Sequence, residues 1–142
     1  RLGGAEPVPA RVSTVSRLDE GLFLTSEVEC FEQRGAVDAF LGLERAARVT
    51  RTWGDAYGYL LVATGRAAVM VDAVVALWDI AAVQPIIEEA GGTLTDWKGN
   101  RSIYAAEAIG TNGAVLDEVG ASWFCPVASA SSLNPCRYAG AR

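Results

Sequence analysis

Val49-Thr50-Arg51-Thr52-Trp53 is a β-branched run, Gly54-Asp55 follows it, and Ala56 to Thr64 carries Tyr57, Leu60, Leu61 and Ala63 at helical spacing. Gly65-Arg66 stops that period in the manner of a helix C-cap, and Ala67 to Val71 is a compact apolar strand ending at Asp72. Trp78-Asp79 then opens a second helix with Ile80, Val83, Ile87 and Ala90 on one face. Gly91-Gly92 ends it, and Thr93-Leu94-Thr95-Asp96-Trp97 is the next strand. Strand, helix, strand, helix, strand with short connections is the βαβ pattern. It predicts an α/β fold with a mixed, largely parallel sheet of about five strands covered by helices. Pro85 conflicts with one continuous helix because it removes a backbone donor and crowds the carbonyl of Ala81, so a bend or a late start is expected there.

Outward from this stretch the pattern is sparser. Gly3-Gly4, Pro7 and Pro9 read as a loop leading into a short edge strand at Val12 to Ser16, and Leu22 to Thr25 reads as a strand. Val37, Phe40, Leu41 and Ala47 give Glu29 to Arg48 a helical spacing that Gly35 and Gly42 interrupt. Lys98-Gly99-Asn100 is a turn, Ala105 to Thr111 a further strand, and Asn112 a candidate cap for a short helix from Gly113 to Val119. Residues 1–120 are read as one body. Residues 121–142, rich in Ser, Ala and Pro, are read as an atypical, mobile tail.

Composition bounds the chemistry. The 142 residues are 51% apolar and 20% charged, enough for a real core, and the net charge is −5 with no basic run to attract nucleic acid. There is no histidine, which removes Ser-His-Asp and Cys-His nucleophiles, histidine-bound zinc and histidine as a general base. Carboxylates, hydroxyls, backbone groups or a hard oxygen-bound metal must do any chemistry. Cys30, Cys125 and Cys136 are too scattered for a metal knuckle and read as free thiols of a reducing cytoplasm, with a Cys125–Cys136 bridge as the other option. Asp72 and Asp79 interrupt the most hydrophobic region, so no membrane span is expected. Nothing at the N-terminus resembles a signal peptide.

In a parallel sheet, ligands gather beyond the carboxyl ends of the strands. Gly54-Asp55, Asp72 and Asp79 all meet that condition and are expected to converge on one edge. Each has a structural alternative: Asp79 and Asp55 as helix caps, Asp72 as a turn residue, Trp53 and Trp78 as packing rather than ligand platforms. Glu88 and Glu89 are expected to face solvent.

Residues 51–98 resemble the carboxyl-terminal half of the inositol monophosphatase family. The resemblance is carried by Trp78-Asp79-Ile80-Ala81-Ala82 followed by Glu89-Ala90-Gly91-Gly92, which matches that family's second signature. Trp53-Gly54-Asp55 and Tyr57-Gly58-Tyr59 look most like its histidinol-phosphate phosphatase branch. The resemblance extends more weakly from about Gly3 to Val119.

It implies a Mg²⁺-dependent phosphomonoesterase. Asp79 inherits a metal-ligand role. Asp72, seven positions earlier, inherits contact with substrate hydroxyl or amino groups, and Gly54, Asp55 and Ala56 inherit the pocket lining. The chemistry is consistent, since Mg²⁺ takes oxygen ligands and commonly one or two carboxylates with waters and substrate phosphate. The family's Asp-Pro-x-Asp-Gly-Thr signature and its upstream metal-binding Glu are absent from these residues. The first residue is Arg1 and the sole methionine Met70, so the natural start is expected upstream. The expected role is therefore a substrate face with one metal ligand, with no catalytic residue assigned, inactive alone and binding Mg²⁺ weakly or not at all. The alternative is a non-catalytic remnant that oligomerises or binds a ligand without turnover. A small phosphorylated substrate is the implied ligand. A homo-oligomer or a missing N-terminal half is the expected partner, because losing part of a layered fold bares a sheet edge and helix faces.

Overall fold

Alternating apolar residues in five short segments build one sheet. In the computed structural model, which describes residues 6–124, the strands are β1 (Leu22–Thr25), β2 (Val49–Thr52), β3 (Val69–Asp72), β4 (Thr93–Thr95) and β5 (Ala108–Thr111), in the order β2-β1-β3-β5-β4. β1 pairs in parallel with β2 and with β3, whereas β5 pairs antiparallel with both β3 and β4. Four strands thus point one way and β5 alone opposes them, which is the mixed, largely parallel sheet expected. The carboxyl ends of β1 to β4 (Thr25, Thr52, Asp72 and Thr95) consequently share one edge.

Successive residues of each strand face opposite sides, so the sheet has two cores. Phe23, Val69, Val71 and Ile109 pack with Phe31, Phe40, Leu43 and Val119 on one side. Leu24, Met70, Leu94 and Ala108 pack with Tyr59, Val62, Ile80 and Ile87 on the other. The first side is covered by α1 (Glu29–Gln33), α2 (Val37–Ala46) and α6 (Leu116–Phe124), the second by α3 (Asp55–Ala63), α4 (Leu77–Ile80) and α5 (Val83–Glu89). β3 and β5 are buried throughout, as central strands covered on both faces must be. Each fully buried Leu, Ile or Phe contributes roughly 1.5–3 kcal/mol.

Local chemistry sets the boundaries. The helix expected over Glu29 to Arg48 is two helices because Gly35 adopts φ +64°, and the Gly35 and Ala36 N–H groups turn back to the carbonyls of Glu32 and Phe31. Gly65, at φ +73°, ends α3 in the same way. Pro85 is the third residue of α5, where no intrahelical donor is needed, so the conflict resolves as a late start after the separate single turn of α4.

Three expectations are corrected. Val12 to Ser16 is a strap, not a strand: Val12 N–H donates to Ala90 O, and the Asn112 amide donates to Ser13 O and Val15 O, so another element claims the backbone groups a ladder would use. The strand expected to run to Trp97 stops at Thr95, because the Asp96 carboxylate draws the Lys98 and Asn100 N–H groups into a tight turn. Gly113, at φ +85°, forms a turn that delays the last helix to Leu116, while Asn112 Oδ1 accepts from Val115 N–H just ahead of it. This helix runs to Phe124, across the boundary drawn at residue 120; the remaining tail, with Cys125 and Cys136, lies outside the described residues. Cys30 is a free thiol. Among the described residues no helix is long and apolar enough to cross a membrane.

Candidate active site

Asp72 closes β3 with its side chain on the α3 side of the sheet, and only 5% of the residue is exposed. Both carboxylate oxygens are held from behind. Ser26 N–H, immediately after β1, donates to Oδ1 at 2.9 Å, and the Tyr59 hydroxyl on α3 donates to Oδ2 at 2.8 Å. Burial pushes the Asp72 carboxyl above its ordinary value, against the stabilising donation from Ser26 and Tyr59. Burial, together with the Asp72 charge, pushes the Tyr59 phenol well above its own.

Ser26 also reaches sideways. Its Oγ accepts from the Asp55 N–H at 3.3 Å, where the chain enters α3 with Asp55 in the left-handed region at φ +57°. Aspartate tolerates this conformation better than most residues, and the turn places residue 55 at the mouth of the cleft. Asp79 is the third residue of α4, and its Oδ2 accepts from Ala76 N–H at 2.8 Å, closing the first turn. Asp79 is thus not the N-cap, which is Ala76; it caps the turn from the third helical position with one oxygen, while the residue still lines the cleft.

These elements enclose a cleft of about 490 Å³ at the carboxyl edge, lined by Ser26, Asp55, Tyr59, Asp72, Trp78 and Asp79 among others. Of the residues singled out from sequence, Asp55, Ala56, Asp72 and Asp79 meet in its wall. Gly54 does not; it stands at the N-cap of α3 with open space where a Cβ would go. Trp78 lines the cleft while remaining 82% exposed, whereas Trp53 packs in a tilted ring contact with Tyr57, with centroids 5.4 Å apart, and lies outside the lining. Sequence reasoning missed Ser26, Glu27 and Cys30, although the strand-end rule that picked Asp72 applies equally to residues following Thr25. It used Tyr59 only as part of a resemblance. The signal was a phenol on the buried stripe formed with Val62 and Ala63, where an O–H requires a partner.

Four carboxylates, from Glu27, Asp55, Asp72 and Asp79, line this one cleft. Among the described residues, however, no group of three or more acidic or thiol side chains is placed to hold a metal ion. The donor set suits Mg²⁺ in kind, being hard oxygen, but the residues present do not make a complete centre.

Comparison with known proteins agrees with this geometry. Residues 3–127 match the model of the inositol monophosphatase family. The chain is 37% identical over 108 residues to a histidinol-phosphatase of Streptomyces coelicolor and 39% identical over 101 residues to one of Chlorobaculum parvum, covering 76% and 71% of this chain. It spans only 41% and 39% of the lengths of those two relatives. Among solved structures it resembles an IMPase of Thermotoga maritima (29% identity, TM-score 0.71, 85% of this chain and 46% of that one). An inositol monophosphatase from Zymomonas mobilis is similarly related (26% identity, TM-score 0.74, 80% and 46%). With a five-stranded α/β sheet and a carboxylate-lined cleft at its carboxyl edge, the chain belongs to the inositol monophosphatase family, on its histidinol-phosphatase branch.

Proposed function

We propose that this chain forms the substrate-reading face of a Mg²⁺-dependent phosphomonoesterase acting on histidinol phosphate. The observation that carries the reading is the buried Asp72 carboxylate facing a cleft lined by four carboxylates and by no Lys or Arg. Such a wall attracts an ammonium group and repels a phosphate. The amine end of the substrate therefore lies toward Asp72 and Asp55, and the phosphate end requires positive charge that the lining residues do not supply. Asp79 contributes one oxygen ligand toward Mg²⁺, which supplies that positive charge and Lewis acidity when bound. The other ligands and the group that activates water come from outside the described residues. This is consistent with a chain spanning about two fifths of the length of its relatives.

The chain alone is accordingly inactive. Phosphate release with Mg²⁺ from histidinol phosphate and from inositol phosphate should not exceed that of an Asp79→Asn control. Release that disappears in the control would overturn the inactive reading. NMR shift titration should show the chain binding histidinol phosphate in preference to inositol phosphate; an equal or reversed preference would overturn the amine-reading assignment.

A further inference from the structure

We infer that Tyr59 is a positioning residue that fixes Asp72 as the acceptor for the substrate's amine, so that this buried pair sets the substrate class the cleft admits; the inference rests on the histidinol-phosphate reading above. The placement of Tyr59 is built into the packing. A Cβ at Gly110 of β5 would lie 2.9 Å from Tyr59 Cδ1, and one at Gly58 would lie 2.6 Å from Met70 Sδ. Two side-chain-free positions thus let α3 settle directly on the sheet, which brings the phenol to 2.8 Å from Asp72 Oδ2. Ser26 N–H occupies the other oxygen. Held by Ser26 and Tyr59, the carboxylate is fixed in orientation and still has acceptor capacity for a ligand.

The phenol acts as a permanent donor, because burial and the neighbouring Asp72 charge keep its proton on. The other titratable groups lining the cleft, Glu27, Cys30, Asp55 and Asp79, carry no positive charge. Only hydrogen bonds from Tyr59 and Ser26 therefore offset the burial of the ionised Asp72 among the lining residues.

Tyr59→Phe tests this directly, since it keeps the ring against Gly110 and deletes only the hydroxyl. Carboxyl ¹³C NMR titration should show Asp72 ionising at higher pH in the variant, and NMR shift titration with histidinol should show binding weakened about tenfold, the scale of one hydrogen bond to a charged group. In an Asp72→Asn background, Tyr59→Phe should cause no further loss of histidinol binding. An unchanged Asp72 titration, or an equal loss in the Asp72→Asn background, would overturn the positioning role. If the unaltered chain binds no histidinol, the substrate reading fails, and the Asp72 titration alone decides the role of Tyr59. If Tyr59→Phe does not fold, the unaltered chain still decides: a slowly exchanging Tyr59 hydroxyl proton that responds to Asp72 ionisation is expected, and its absence refutes the pairing.

Discussion

Two aspartates end or follow strands whose carboxyl ends share one sheet edge, and their environments drive them in opposite directions. Asp96, just after β4, is 8% exposed and accepts from Lys98 N–H, Asn100 N–H and the Asn100 amide, all at 2.8–2.9 Å. Burial alone would raise its carboxyl, but these hydrogen bonds outweigh burial and hold it below the ordinary value of 3.8. Asp72, at the end of β3, is 5% exposed and accepts from Ser26 and Tyr59; burial, with the nearby Asp55 charge, prevails and its carboxyl lies above 3.8. The difference separates structural from functional burial. The turn around Asp96 consumes the carboxylate, whereas Asp72 stands at the wall of a cleft with its carboxyl raised, which is the condition of a group able to serve a ligand.

The largest effect expected from this contrast is at Asp96. Asp96→Ala leaves the Lys98 and Asn100 N–H groups without their acceptor and should cost about 2–3 kcal/mol in chemical denaturation. A loss below about 1 kcal/mol would mean that the turn stands without its carboxylate. Asn100→Ala removes one of the three donors and should cost roughly 1 kcal/mol by the same measurement. Asp72→Asn keeps an acceptor for Tyr59 and removes a buried charge, so its stability at neutral pH should stay within about 1 kcal/mol of the parent.

The pH profiles sharpen the contrast further. The folded Asp96 has its carboxyl lowered, so its contribution is present above 3.8 and is lost as pH falls through its folded value. The folded Asp72 has its carboxyl raised, so its contribution is present below 3.8 and is lost as pH rises through its folded value. Replacing Asp72 by Asn should therefore remove a decline in stability above pH 3.8, measurable by denaturation across pH; an unchanged slope would contradict the environment described for it.

Much of this arrangement is legible in the chain itself. The alternation in Val69 to Asp72, the helical spacing of α3 and the stops at Gly65 and Gly91 are local patterns with local causes. They are enough to place Asp55, Asp72 and Asp79 on one edge. The strand order is not local. That β1 lies between β2 and β3, and that β5 inserts antiparallel between β3 and β4, follows from how two cores close over the sheet, and no short window records it. The Ser26–Asp72 contact escapes sequence reading for the same reason, joining positions 46 residues apart through the pairing of β1 with β3. The strap at Val12 to Ser16 has the composition of a strand, and only the Asn112 side chain shows why it is not one.

That side chain makes the strap the far end of a very long loop. The Asn112 amide holds Ser13 across 99 residues of chain, and Glu118 holds Leu18 N–H across 100. Joining the ends of so long a flexible segment costs roughly 4 kcal/mol in chain entropy, more than a few polar contacts return. The clasp is thus thermodynamically downstream of the sheet: it forms once the strands between have already drawn its two sides together. It then works as a latch whose integrity depends on the entire intervening structure, and any loosening of the sheet is felt first at residues remote from it in sequence.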